Sequence, residues 1–523
     1  MFMQLNINKY TNNYNPIQLR LPLEVDTIIP SDDVLHSFVK LKRKVNLEKY
    51  IKRSRHRGNQ GYDPTMMLDV ILFAYSIQIF SLRKIEQACK TDIRFIYLAN
   101  GITPSHNAFA DFINKTLVCN MEDIFFDFTK AIVELDNVDT SILYIDGTKF
   151  EANATKNSFV WKKAVLKFQD KLYDKISELL IDINLNLKTN FTTKLSYNCE
   201  YLDMIENYLL KLIEDNKIEF VYGKGVKKTI YQKYYELINT YLIKLNEYTN
   251  HIEICGERNS YSKTDNGATF MNMKYDYYNQ TGVFKAGYNI QIGVSDEYIL
   301  VSDVFQNPTD IKTFIPMMNK YKDKYNSLPK YPVTDAGYGS YDNYSYCLDN
   351  NMELAMKYNY FDKVHYDKKF TKRKYNLMNF EKLDNGIRVC PAGNKFDKLI
   401  NEYDSSTTVY KKTIKIYECG KCNDCDNKKE CTKAANNRQI TVCAKQDEMY
   451  KKADELLTSE IGVKLRKQRA VQVEGAFGVI KENYKYDRLH RRSIEKVRTE
   501  ILLVSLGYNI KKYHNKKLRK KLS

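Results

Sequence analysis

The sequence predicts a mixed α/β chain, in which a sheet is flanked by helices, preceded by a helical segment and interrupted by two insertions. Two observations lead there. Short apolar, β-prone runs occur at residues 141–145, 288–294, 298–305 and 331–334. Around them, residues 63–115, 161–254, 310–325 and 447 onward carry apolar side chains at helical spacing. Strand, hairpin, helix, strand, helix is the order of a mixed sheet with helical layers.

Taken in order, residues 1–60 form a basic arm that ends in Lys40, Lys42, Arg43, Lys44, Lys49, Lys52, Arg53, Arg55 and Arg57. Such a cluster suits a solvated helix face as well as phosphate contact. Residues 61–135 read as a DNA-binding-like helical domain. Its helices span 66–80, 82–89 and 92–99, and a fourth starts with Thr103 as N-cap and Pro104 at the first helical position. Short helices joined by tight turns suit a helix-turn-helix-like bundle or an ordinary packing domain.

Residues 136–160 and 255–375 hold the first parts of the sheet core. Strand 141–145 ends at Asp146, and Gly147 permits a sharp exit. Residues 161–254 alternate Leu and Ile with Lys, Glu and Asp, the pattern of a long helical hairpin inserted into the sheet fold. Runs 288–294 and 298–305, parted by Ser295, Asp296 and Glu297, make a β-hairpin. Helix 310–325, a strand ending at Asp335, a helix from Ser340 and a strand over 352–357 follow. Residues 376–445 form a Cys-rich insertion, residues 446–510 are C-terminal helices carrying Glu474, and residues 511–523 are a basic tail.

At 523 residues the chain has room for two to four domains. A formal charge of +18, with 13% aromatic residues including 42 Tyr, favours a polyanionic partner, above all nucleic acid. The polar, Asn-rich start lacks a signal peptide's apolar core. The most apolar stretch, residues 66–80, is short for a bilayer and interrupted by Asp69, Ser76 and Gln78, so an intracellular chain is expected.

Three acidic residues sit where catalytic cations are commonly held. Asp146 follows Ile142-Leu143-Tyr144-Ile145, and Asp335 follows Pro332-Val333-Thr334 and precedes Ala336-Gly337-Tyr338-Gly339. A carboxylate at the end of a buried strand is costly to ionise without a cation, and a Gly-rich exit lets a phosphate backbone come close. Glu474 lies on a helical segment whose Val473, Phe477 and Ile480 share an apolar stripe. Gly475 and Gly478 weaken that helix and suggest close approach by a backbone or ligand. Lys481 lies on the Glu474 face, and Arg469 about a turn earlier could meet phosphate. Singly, each acid also reads as an ordinary turn or surface residue. Together they are the oxygen ligands of a two-cation phosphoryl-transfer site.

Eleven cysteines in so long a chain exclude a disulfide scaffold. Cys419, Cys422, Cys425 and Cys431, with Cys390 upstream, offer more ligands than a tetrahedral Zn2+ needs, and four of the five would serve. An iron–sulfur cluster or unliganded thiols are the other readings. Cys89, Cys119, Cys199, Cys255 and Cys347 read as packed thiols. His490, among Arg488, Arg491 and Arg492, reads as part of a basic surface.

Several segments carry a resemblance: Tyr144-Ile-Asp-Gly-Thr-Lys-Phe-Glu-Ala-Asn-Ala-Thr-Lys156, Phe159-Val-Trp-Lys-Lys163, Asp265-Asn-Gly-Ala-Thr-Phe270, Gly287-Tyr-Asn-Ile-Gln-Ile292, Asp335-Ala-Gly-Tyr-Gly-Ser340 and Val473-Glu-Gly-Ala-Phe-Gly-Val-Ile-Lys-Glu-Asn483. Tyr62–Met67 and Ile102–His106 add to them, and the resemblance covers about residue 15 to 513. The chain resembles DDE transposases of bacterial insertion sequences, in particular the IS-eleven-eighty-two-like group. The resemblance implies an RNase H-like core with Asp146, Asp335 and Glu474 as the metal-binding triad. It implies two Mg2+ or Mn2+ ions, bridged by Asp146, with Asp335 on one and Glu474 on the other. Hydrolysis at a transposon end would free a 3′-OH, which would then attack target DNA. Lys149 and Lys481 are candidates for holding phosphates. The signature arginine expected four residues before Glu474 is replaced by Ala470, so Arg469 is the candidate for that contact. Double-stranded DNA, both terminal repeats and target, is the expected partner. A homodimer follows from the need to hold two ends, and the nucleoid from the substrate. A catalytically inactive DNA-binding derivative and a nuclease without strand transfer are the competing readings.

Overall fold

Helices α1 (Val34–Lys42), α2 (Pro64–Ser76), α3 (Leu82–Thr91), α4 (Ile93–Leu98), α5 (His106–Asp111) and α6 (Val118–Asp136) precede the sheet. The computed structural model describes residues 29–50, 61–223, 225–273, 283–383, 386–422 and 424–522. Much of the expected basic arm, including Lys52, Arg53, Arg55 and Arg57, therefore lies outside the described residues. Within them, Lys42 pairs with Asp69, Lys44 with Glu134 and Lys49 with Asp127, so these cations serve the fold. Asp63 caps α2 through the backbone N–H groups of Thr65 and Met66, and Asp92 caps α4 through Arg94. The expected cap at Thr103 is corrected. Ser105 Oγ accepts from Ala108 N at 3.2 Å, so α5 begins after Pro104 rather than with it.

Strand β1 (Ile142–Glu151) is followed by β2 (Phe159–Trp161) and by helices α7 (Lys162–Leu187), α8 (Cys199–Asp215) and α9 (Ile230–Cys255). The expected hairpin is thus three helices, around a core that includes Leu172, Ile176, Leu180, Ile205, Leu209 and Ile238. The breaks are local. Asn198 accepts from Tyr201 N and Thr229 from Gln232 N, and each begins a new helix. Strand β3 (Ser260–Ser262) then pairs with β2.

Strands β4 (Thr269–Met273), β5 (Val283–Ser295), β6 (Tyr298–Phe305) and β7 (Tyr331–Val333) join β1 in the main sheet. One edge of β5 pairs antiparallel with β1, from Tyr144↔Val294 to Glu151↔Gly287. Its other edge takes β4 along its first half and β6 along its second. β7 adds in parallel to the far edge of β1, and Thr334 bridges in parallel to Met356 beyond it. The expected strand over 352–357 is reduced to that bridge. The hairpin turn at Asp296 and Glu297 stands as expected, both residues with positive φ.

Helix α10 (Phe314–Tyr325) lies between β6 and β7, and α11 (Tyr341–Asp349), capped by Ser340, follows β7. Strands β8 (Lys398–Asp404), β9 (Thr413–Glu418) and β10 (Gln439–Val442) form a separate antiparallel sheet in the Cys-rich segment. Helices α12 (Ala444–Thr458) and α13 (Glu460–Arg469) lead to the Glu474 segment, and α14 (Ile494–Leu522) closes the fold. The expected basic tail is helical. Lys516 and Lys520 pair with Asp136, and Lys512 with Glu297, which tie the end of α14 to the sheet and α6. Gly507 lets α14 lie directly on α2, because a Cβ there would fall 2.5 Å from the Tyr75 carbonyl oxygen. One hydrophobic core accordingly runs through α2, α6, the sheet and α14. No helix among the described residues is long and apolar enough to cross a membrane.

Candidate functional site

β1 does not stop at Asp146. It continues five residues further, so Asp146 lies within the strand, opposite Ile292, and Gly147 is no exit. The reason is steric and distant in sequence. A Cβ at residue 147 would fall 1.9 Å from Gln291 Nε2 and 2.8 Å from Asp310 Oδ1. Glycine leaves room for these side chains to pass over the strand.

Asp146 is largely buried, with 17% of its side chain exposed. Burial pushes its carboxyl above the ordinary range; the Arg469 guanidinium opposes that, and the Asp335 charge adds to it. Its Oδ1 accepts from Gly147 N at 2.8 Å and its Oδ2 from Arg469 Nη1 at 3.0 Å. Asp335 stands just past β7, and its Oδ1 accepts from Gly337 N at 2.8 Å, capping a single 3-10 turn. Parallel pairing aligns Tyr144 with Val333, so Asp146 and Asp335, each two residues on, lie side by side past the end of that pairing.

Glu474 closes a π-helical turn, Ala470–Glu474, that continues α13, and a second such turn spans Val479–Asn483. Such turns shift the phase of a helix and recur at functional sites. Val473, Phe477 and Ile480 are buried as expected, so Glu474 is turned outward and 63% exposed. Its Oε1 lies 3.7 Å from Arg469 Nη2. Arg469 thus reaches Asp146 and Glu474 with one guanidinium. The expected approach of a neighbouring backbone to Gly475 and Gly478 does not occur, since a Cβ at either would meet nothing within 4 Å. The helix is open beside Glu474.

Lys481 donates to Thr148 Oγ1 at 2.7 Å and to the Lys149 carbonyl at 3.0 Å, and covers the Phe150 ring. Lys149 donates to the Asn272 carbonyl at 3.0 Å. Both cations therefore border the β1 segment that carries Asp146. Of the group around His490, Arg491 is turned inward beside Tyr75 and Glu500 rather than forming surface, while His490 stays exposed.

One acidic residue escaped the sequence reading. Asp310 Oδ1 accepts from Asn289 Nδ2 at 2.8 Å and from Gln291 Nε2 at 2.7 Å. Gln291 also takes the Tyr338 hydroxyl on its Oε1. The buried Tyr338 phenol, kept protonated mainly by burial, feels the charges of Asp310, Asp146 and Asp335 together. The signal available was the unexplained Asn307-Pro-Thr-Asp310 turn before α10, which the expected helix start at 310 absorbed.

The donor set is all carboxylate oxygen, which suits a hard divalent cation, and a desolvated Asp146 calls for positive charge. Arg469 supplies that charge here. Among the described residues no group of three or more His, Cys, Asp or Glu side chains is placed so as to hold a metal ion.

In the Cys-rich segment, Cys390, Cys419 and Cys422 are buried in one small core with Cys431 packed against it. Among the remaining thiols, Cys89, Cys255 and Cys347 are buried as expected, Cys199 is half-buried, and Cys119 is exposed rather than packed. The Asp265 and Gly287 segments meet in the interior, where Tyr288 donates to Asp265.

No curated protein and no solved structure matches the chain. Residues 389–514 match the family described as a transposase DDE domain, and residues 23–115 match a transposase domain (DUF772). The first match takes in Arg469, Glu474 and Lys481, and the second the helices from α1 to α5. Together the two matches indicate a DDE-type insertion-sequence transposase.

Proposed function

We propose that this transposase binds the ends of a bacterial insertion sequence of the IS-eleven-eighty-two-like group and catalyses metal-dependent DNA cleavage and strand transfer, with Asp146, Asp335 and Glu474 as its acidic triad. The observation that carries the reading is the shared neighbourhood of the three acids. Arg469 contacts Asp146 and Glu474, and Asp146 feels the charge of Asp335. The sheet supports it too: an antiparallel β1–β5–β6 run with β7 and the Met356 bridge parallel on the far side is compatible with the RNase H-like core that the reading requires.

Two Mg2+ or Mn2+ ions, when bound, would supply charge to the attacking and leaving oxygens of the phosphodiester. Asp146, Asp335 and Glu474 would hold them. Arg469, released from the carboxylates, would turn to a DNA phosphate. Lys149 and Lys481 would neutralise phosphates beside β1, and the open face at Gly475 and Gly478 gives the backbone of a DNA strand room beside Glu474. No side-chain nucleophile is needed, since water and then the freed 3′-OH attack in turn. Two ends held together imply a homodimer.

The test incubates purified protein with labelled DNA from the genomic flanks of its gene, with Mg2+ and a target plasmid. Joining of a 3′-OH end to the target supports the proposal. Cleavage without joining would make it a nuclease, and binding alone a catalytically inactive derivative; either result overturns it. Asp146→Ala, Asp335→Ala and Glu474→Ala should each abolish cutting while sparing end binding.

A further inference from the structure

The Cys-rich segment, residues 376–445, has too little apolar interior for its length. Its buried core is Phe380, Cys390, Phe396, Cys419, Cys422 and Ile440, so half of the buried side chains are thiols. Strand β8 is exposed along its whole length. Units this small, with so few apolar contacts, generally need a covalent or metal staple.

Four cysteines border one small void, although their side chains are not yet gathered into a ligand cluster. A small void of about 10 Å3, of the order of a single water, has Cys390, Cys422, Cys425 and Cys431 among its lining residues. It is too small for an organic ligand. Cys390 enters it from a tight turn, in which Gly393 has φ +78° and the Cys390 and Asn394 backbones are hydrogen-bonded at 2.9 Å. Cys422 and Cys425 enter from the loop after β9, and Cys431 from the short helix Lys428–Cys431. Cys419 does not line the void; it lies beside Cys422 and is fully buried.

Donors already face two of the sulfurs. Arg438 Nη1 is 3.0 Å from Cys431 Sγ and Asn394 Nδ2 is 3.9 Å from Cys425 Sγ. Such N–H donors to sulfur are the outer contacts that accompany metal-bound cysteines.

We propose that Cys390, Cys422, Cys425 and Cys431 form a structural Zn2+ site that holds this module together. Zn2+ binding draws the four sulfurs onto the void and releases their protons to solvent. Four thiolates and no open position make the site structural rather than catalytic. This assignment does not depend on the cleavage chemistry, and its test reads metal rather than activity.

The test measures zinc, iron and acid-labile sulfide in the full chain purified under reducing conditions from zinc-supplemented cells. About one zinc per chain is expected, with neither iron nor sulfide. Exchange with Co2+ should give the intense visible absorption of a tetrahedral tetrathiolate. Cys425→Ser and Cys431→Ser should each lower the zinc content severalfold, while Cys419→Ser and Cys443→Ser retain it. Iron with sulfide overturns the proposal, as does a wild-type chain that neither carries zinc nor takes up Zn2+ or Co2+ after reduction. Loss of zinc from Cys419→Ser equal to that from Cys425→Ser overturns the ligand assignment.

Discussion

Arg469 Nη1 lies 3.0 Å from Asp146 Oδ2, joining the start of the sheet to a helix 323 residues later. The same guanidinium stands 3.7 Å from Glu474. In the free protein, a side chain thus provides the positive charge that the carboxylates require. Any cation bound between them has to compete with it.

Removing that competitor should strengthen cation binding. Arg469→Ala is expected to tighten Mn2+ binding to DNA-free protein by about fivefold, the equivalent of about 1 kcal/mol for one largely buried ion pair. Isothermal titration checks this. Unchanged or weaker binding would show that Arg469 does not share the cation's carboxylates.

Gly147→Ala should disturb the network behind Asp146. Gln291 is fully buried and bonded to Asn289, Asp310 and Tyr338, so it cannot yield to a new methyl group without breaking one of these bonds. A loss of about 1–3 kcal/mol in stability is expected, as for an overpacked core. Urea denaturation measures it, and an undiminished midpoint would mean that the strand can bow away from Gln291.

The pH dependence of stability should include a term from Asp69. Burial pushes its carboxyl up to about 6, against the opposing pull of Lys42, and its Oδ1 has no hydrogen-bond partner. A carboxyl raised in the folded state favours folding when protonated. Its contribution is therefore full below about pH 4 and is lost as pH rises through 6. Asp69→Asn stays neutral, so its stability relative to wild type should rise between pH 4 and pH 7, by on the order of 3 kcal/mol. Denaturant midpoints at the two pH values decide it; parallel curves for the two proteins would contradict it.

Local signals in the sequence carried much of this structure. The turn at Ser295, Asp296 and Glu297 and the stripe Val473, Phe477 and Ile480 were legible because turn residues and periodicity act over a few positions. Asn198 and Thr229 were equally local caps, yet the continuous Leu and Ile periodicity hid them. Gly147 was misread for another reason. What requires glycine there is the pair Gln291 and Asp310, which only the fold brings to β1. The helical course of residues 511–522 likewise goes with Lys516 and Lys520 pairing to Asp136 of α6, a partner far off along the chain. Asp146, Asp335 and Glu474 stand out in the sequence by their settings, whereas the β1–β7 pairing that draws the two aspartates together does not. Asp310 was missed because its carboxyl is fixed by Asn289 and Gln291, partners invisible along the chain.

Iron-directed cleavage of the protein tests most directly whether Asp146, Asp335 and Glu474 hold a cation in common. Fe2+ bound in place of Mg2+, with ascorbate and peroxide, cuts the backbone only where it sits. The account predicts three cuts, close to residues 146, 335 and 474, that fade together as Mg2+ is added and disappear in Asp146→Ala. Cuts confined to one of these segments, or scattered over the surface carboxylates and unchanged by Mg2+, would contradict it.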